Sequence, residues 1–351
     1  MSQMTPNPIL NVLPLGHQWP TLDPFLFCAY HDDAYPTANT DMSPKASLAG
    51  RNMGQDFSRK DGWSMYHGST VPGFPAHPHR GFETVTIVRK GLIDHSDSLG
   101  ATARFGRGDV QWLTAGKGIV HAEMFPLLNM QEPNPLELFQ IWLNLPAASK
   151  MVDPHFTMLW ANDIPGHVAK DPSGLETHVS VIAGHLAGAG TGVDRSIKAL
   201  NPPPDSWAAQ AQGEVAIWTL RMQPGACFLL PAANAGTRRN LYFFKGQSVA
   251  VGGRDISSHS ALELQGDAAI ELINGAEKAE FLLLQGKPIA EPVAQYGPFV
   301  MNTQAEIRQT IADYQSTQFG GWPFANPAPT HGNDPARLAM HPDGRIEAPA
   351  D

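Results

Sequence analysis

The stretch FPAHPHRGFETVTIVRKGLIDHSDSLG, Phe74 to Gly100, sets two histidines around one proline, follows them with a glutamate, and then runs through β-branched residues into a glycine. Alternate side chains of an extended strand share a face, so His77 and His79 point the same way, about 6–7 Å apart along the backbone, and both imidazoles can reach one ion. Pro78 cannot donate to a ladder, which puts the pair at a strand end or sheet edge where a cavity can open. Two histidines packed in a barrel rim would leave the same pattern. A second group of ligands is what would turn the pair into a site.

Such a group stands in GDVQWLTAGKGIVHAEMFP, Gly108 to Pro126, where His121 and Glu123 are again two apart after a glycine-rich turn. Three neutral imidazoles and one carboxylate form a mixed nitrogen and oxygen set. That set suits a borderline divalent metal better than ions that seek thiolates or all-oxygen cages. Fe(II) is the first expectation, with Mn, Co, Ni, Cu and Zn as alternatives the same donors accept. Four ligands leave room in an octahedral shell for substrate or dioxygen. Trp112 and Met124 adjoin the motif and read as barrel packing. His67, His95, His155, His178, His185 and His259 are read as having no partner two residues away, hence as surface or core residues, although His67 and Phe74 could line an entrance. His331 and His341 read as solvated.

Working outward, 33 Gly and 31 Pro punctuate short β-branched runs, the pattern of many strands joined by turns. Strands are expected at Glu83–Val88, Val110–Leu113 and Leu136–Leu143, with weaker ones at Gly91–Ser96 and Ala101–Phe105. The second half repeats this grammar in HVSVIAGH, AIWTLRM, CFLLP, NLYFFKG, VAVGG, ALELQ, AIELING and EFLLLQG. It contains no HxH or HxE, so a second all-β unit without a metal is expected there, acting as scaffold. The turn-rich segment Leu159–Gly174 is the linker candidate. Thr303 and Glu306 form a capping box ahead of Ile307, Ile311 and Tyr314 at helical spacing, which predicts one amphipathic C-terminal helix. The expected organisation is residues 1–160, residues 161–320, and a Pro-rich tail over 321–351 that is disordered or wraps in extended form.

The motifs HPHRGFETV, DSLG, GDVQWLTAGKGIVHAEM, QIWLNLP and QYGPFVMNT resemble the pirin family of bicupins, over most of Met1 to Gly321. The resemblance implies an all-β fold of two cupin (double-stranded β-helix, jelly-roll) barrels. It also implies a single iron site in the first barrel, held by His77, His79, His121 and Glu123. Glu83 falls at a ligand position of the generic cupin pattern, but the family coordinates through the later glutamate, so Glu83 reads as a supporting residue. Family members divide into quercetin 2,3-dioxygenases, which open a flavonol with O2 and release carbon monoxide, and iron-dependent regulators that act through protein partners. The expected function is therefore flavonol cleavage with Glu123 as ligand and general base. The alternative is a non-catalytic, redox-sensing iron protein with a regulatory protein partner.

Composition narrows the partners. The balance of 24 Lys+Arg against 33 Asp+Glu, with no basic run, lacks the footprint of direct nucleic-acid binding. Only Cys28 and Cys227 are present, far apart, which fits neither a disulfide framework nor a thiolate metal site and suits a reducing cytoplasm. The N-terminus reads as leader-free, and no window approaches the ~20 apolar residues of a spanning helix. A small aromatic substrate and O2 are the expected partners, with no membrane.

Overall fold

The computed structural model describes residues 7–187 and 196–350. The first six residues, on which part of the leader-free reading rests, lie outside them. The chain forms two compact units that interleave in sequence: Met1–Cys28 with Asp163–Ala290, and Ala29–Asn162 with Glu291–Asp351. The consecutive blocks 1–160, 161–320 and 321–351 are therefore not the observed grouping. The reason is pairing: β1 (Ile9–Pro14) lies antiparallel to β20 (Ser260–Leu264), so the N-terminal strand completes the later unit. The passage from one unit to the other falls between Asn162 and Asp163, inside the linker candidate.

The unit that carries both histidine motifs is built from two sheets. One has the order β10-β7-β4-β9-β2, using β2 (Phe25–Tyr35, from Ala29 onward in this unit), β4 (Phe82–Lys90), β7 (Val110–Thr114), β9 (Asn134–Asn144) and β10 (His155–Leu159). The other has the order β26-β25-β6-β5-β8-β3, using β3 (Gly73–His79), β5 (Leu92–Asp97), β6 (Thr102–Gly106), β8 (Ile119–Met124), β25 (Leu338–Met340) and β26 (Ile346–Glu347). Val88, Leu113, Leu138 and Phe156 of the first sheet share one core with Ile93, Ala103, Phe105 and Ile119 of the second. Each of the Val, Leu, Ile and Phe side chains removed from water contributes roughly 1.5–3 kcal/mol, which is why strand runs rich in these residues close into a barrel.

The other unit repeats the plan. A seven-stranded sheet runs β1-β20-β17-β22-β15-β12-β11, with β11 (Gly166–Lys170), β12 (Glu176–Ala183), β15 (Ala216–Met222), β17 (Arg238–Lys245) and β22 (Ala279–Gly286). It faces a four-stranded sheet of β16 (Cys227–Leu230), β21 (Ile270–Asn274), β18 (Ser248–Val251) and β19 (Arg254–Ser257) across a second apolar core. β13 (His185–Leu186) pairs antiparallel with β14 (Ile197–Lys198). Every strand-length segment expected in this half is present.

The C-terminal region returns to the first barrel. After the hairpin of β23 (Ala294–Tyr296) and β24 (Phe299–Met301) comes α1 (Gln304–Thr317), whose capping box joins Thr303 and Glu306 as the sequence predicts. Ile307 of α1 packs with Phe299 and Met301, and Ile311, Tyr314 and Phe319 adjoin them. The tail is an extended wrap: β25 pairs with β6, setting Leu338 opposite Arg104 and Met340 opposite Thr102. Among the described residues, no helix is long and apolar enough to cross a membrane.

Candidate metal centre

β3 is the edge strand of its sheet, as Pro78 requires, and pairs with β8 so that His77 lies opposite His121 and His79 opposite Ile119. A register shift between Phe74 and His77 accommodates the Pro75 stretch. The two motifs are thereby brought together by backbone pairing. One nitrogen from each of His77, His79 and His121 lies within 4.8 Å of the others. Ring centroids stand 4.5 Å apart for His77 and His121, 4.8 Å for His77 and His79, and 4.9 Å for His79 and His121.

The end of β3 is held by residues from distant parts of this unit. Arg80, directly after His79, donates through Nε to the Lys117 carbonyl at 2.6 Å and through Nη1 to Asp313 of α1 at 2.7 Å. Its guanidinium also lies over the Phe319 ring, 4.4 Å from the centroid. Gly81 takes φ +86°, and a Cβ there would meet the Val300 carbonyl at 1.9 Å, so only glycine lets β24 approach this closely. Lys150 donates to the carbonyls of Gly81 and Val300 and to Asn144, closing the corner.

Burial lowers the pKa of His77 to about 4, against a hydrogen bond between its Nδ1 and the Pro75 carbonyl at 2.8 Å. Burial likewise drives His79 and His121 well below the ordinary imidazole value. All three are neutral at physiological pH, the state in which imidazole offers a lone pair to a metal. The Pro75 bond fixes the His77 tautomer with the proton on Nδ1 and the lone pair on Nε2. Both ring nitrogens of His121 and Nδ1 of His79 are buried without a hydrogen-bond partner. Orphaned buried nitrogens of this kind are costly in a folded interior, and a bound cation is the group that would satisfy them.

Glu123 stands beside this cluster, its Oε2 3.8 Å from Nε2 of His121. The Thr86 hydroxyl lies 3.0 Å from Oε1 of Glu123 and 2.7 Å from Oε1 of Gln140, and its one proton serves one of them at a time. Gln140 Nε2 donates to Glu123 Oε2 at 3.5 Å. Burial raises the Glu123 pKa, opposed by His95 and by the Thr86 bond. A divalent cation next to it would favour the carboxylate. The donor set thus fits a metal: three neutral imidazoles and a buried carboxylate.

Three features differ from expectation, one of them His341, expected in solvent but buried with its ring 5.2 Å from that of Phe156. His95, read as isolated, lies opposite Glu123 on the neighbouring strand β5, with its ring 5.5 Å from that of His121 and its Nε2 3.1 Å from Oδ2 of Asp97. The same two-residue spacing that marks His121 and Glu123 was present in His95 and Asp97. His331, expected in solvent, bonds through its backbone N–H to Asp94 at 2.8 Å and sets Nε2 3.1 Å from the Ser96 hydroxyl. Glu83 is fully buried and accepts from the Thr114 hydroxyl at 2.7 Å, away from the imidazole cluster. His67 and Phe74 do meet, 5.5 Å between centroids, and Phe74 lies 6.3 Å from His77.

Two family models match the chain: Pirin over residues 9–143 and the Pirin C-terminal cupin domain over residues 217–320. The chain belongs to the pirin family. Among relatives of this pirin-family chain, Pirin-like protein 2 of Arabidopsis thaliana is 36% identical over 256 residues, covering 70% of each sequence. Human Pirin is 34% identical over 261 residues, 73% of this chain and 80% of that one. A crystal structure of quercetin 2,3-dioxygenase from Acinetobacter baumannii superposes with a TM-score of 0.67 at 28% identity, covering 89% of this chain and 98% of that chain. Such relatives imply a metal cofactor, and the three-histidine cluster is where this pirin-family chain could hold it.

Proposed function

We propose that this protein is a metal-dependent dioxygenase that opens a flavonol such as quercetin with O2, using an iron-class ion held by His77, His79, His121 and Glu123. The observation that carries the reading is the convergence of three neutral imidazoles, two of them with orphaned nitrogens, beside a buried carboxylate. The likeness to a quercetin 2,3-dioxygenase supports the choice of substrate. When bound, the ion would supply Lewis acidity and a place where flavonol and dioxygen meet.

The protein side of the chemistry follows from the side chains. Glu123 takes the proton of the flavonol 3-hydroxyl, and Thr86 and Gln140 orient its carboxylate for that transfer. The three imidazoles bring no charge of their own, so a divalent ion with one carboxylate leaves the site at +1, which favours a flavonolate anion in a dry interior. His79, His121 and Glu123 are all at most 5% exposed, which limits competing water. Phe74, its ring centroid 6.3 Å from that of His77, adds aromatic surface beside the cluster.

The test is anaerobic loading with Fe(II), followed by quercetin and then oxygen, with the flavonol absorbance followed in time. Loss of the absorbance band with release of carbon monoxide is the expected result. No turnover with any flavonol across Fe, Mn, Co, Ni and Cu would overturn it and favour a non-catalytic iron-binding regulator.

A further inference from the structure

Among the described residues, the interior of the second barrel contains a buried cation with no counter-charge. Arg239 is 1% exposed and sits on β17 at the same parity as the core residues Leu241 and Phe243; its backbone partners are Leu264 on β20, part of the same core, and Gln285 on β22. Its Nε and Nη2 both donate to a single neutral oxygen, Oε1 of Gln285, at 2.8 and 2.5 Å. Nη1 is buried and has no partner. Trp218, on the inner face of β15, likewise has its indole N–H buried without an acceptor.

Burial pulls the Arg239 pKa down to about 10, with no acid contributing, so the guanidinium is charged at neutral pH. A buried ion without an opposite charge is strongly unfavourable unless something compensates it. Because Gln285 occupies the Nε side of the fork, the edge formed by Nη1 and the outer hydrogen of Nη2 is left, and two parallel N–H donors match the two oxygens of a carboxylate. Across Gln285 the next inward residue is Ala216, the smallest side chain in that row. Ala216, Leu241 and Leu264 are the apolar inward neighbours in these rows, so the remainder of the ligand must be short and uncharged.

We propose that the second barrel holds a binding site for a small monocarboxylate, anchored by the free edge of the Arg239 guanidinium. The site is separate from the metal centre and gives this barrel a ligand of its own.

Thermal unfolding of the metal-loaded full chain in sodium acetate, against sodium chloride of equal ionic strength at pH 7, tests it. Wild type should show a saturable rise in Tm with acetate, and calorimetric titration should give one acetate per second barrel. Arg239→Met, which keeps the length and apolar packing of the stem, should lose the rise. His79→Ala, which disables the metal centre, should keep it. If the Met variant does not fold, Arg239→Lys, with the charge but not the fork, should bind acetate at least tenfold more weakly. No saturable acetate effect in wild type overturns the proposal, as does a rise that survives Arg239→Met or Arg239→Lys undiminished. A rise lost in His79→Ala belongs to the metal centre and equally overturns it. A larger response to inorganic phosphate than to acetate would exclude the planar carboxylate as the ligand class.

Discussion

Glu123 has two separable duties in the proposed site, holding the ion and accepting a proton, and one substitution distinguishes them. Glu123→Gln keeps the shape and one oxygen donor but removes the charge and the basicity. Metal affinity should weaken, and flavonol turnover should fall by about 10²–10⁴-fold even after refilling with excess Fe(II), since the lost group is the proton acceptor. Activity restored on refilling would leave Glu123 only a ligand. His79→Ala should instead lose metal and turnover together while keeping the fold, as judged by an intact cooperative melt, because the barrel rests on the shared core of its two sheets and not on the ion. Outright unfolding of His79→Ala would mark the metal as structural. At this scale the ligand motifs were legible, since two-residue spacing on a strand states directly which side chains share a face. Thr86 and Gln140 were not. They reach Glu123 only because β4 and β9 pair in a register that sets Thr86 opposite Gln140, and non-local register leaves no trace in a local pattern.

The elements that frame the site come from both ends of its unit. α1 reaches β3 through Asp313 and Arg80, with Asp313 partly open to solvent, so Asp313→Ala should cost only about 1 kcal/mol of stability. Its more telling effect is on the HPH strand, where weaker metal retention under chelator challenge is expected. Unchanged retention would show that Phe299, Gly81 and Lys150 hold the strand without the ion pair. The tail contributes β25 on the edge of β6, a hydrogen bond from Ala76 N–H to the Pro327 carbonyl at 2.7 Å, and the pair of Arg337 with Asp109 at 2.7 Å. Truncation after Gly321 should therefore lower Tm by roughly 5–10 °C, and limited proteolysis of the intact chain should spare the segment around Leu338–Met340. Rapid loss of the tail with no change in Tm would make the wrap energetically idle. The strand runs were legible because β-branched stretches end at glycines. The tail was not, because strands of three and two residues among prolines show no period, and their placement depends on an exposed sheet edge elsewhere.

For the molecule as a whole, two expectations connect composition to stability. Among the described residues one cluster of ligand-forming side chains converges, so elemental analysis should find about one iron-class ion per chain, and two tightly held ions would reveal a second centre. Buried groups outside that cluster add their own windows to the pH dependence of unfolding. Asp33 accepts hydrogen bonds from the Tyr66 hydroxyl and the Ser64 N–H, yet burial raises its pKa to about 6. From about pH 4 to 6 the folded state then binds more protons than the unfolded chain, so this group's contribution falls as pH rises and is flat above 6. Lys150 is the opposite case. Burial lowers its pKa to about 8, so from pH 8 to roughly 10.4 the unfolded chain binds more protons and stability rises with pH. Asp56 is held at about 2 by Ser58, the Met65 N–H and Arg51 despite its burial, and its support is present above pH 4 and lost as pH falls toward 2. Subtracting the melting profile of Asp33→Asn from that of wild type isolates one window. The difference should slope between pH 4 and 6, with an amplitude of about 2–3 kcal/mol in favour of wild type at the acid end, and be level from 6 to 8. A slope of opposite sign would mean that the Tyr66 and Ser64 bonds outweigh burial and that Asp33 is a stabilising carboxylate at neutral pH.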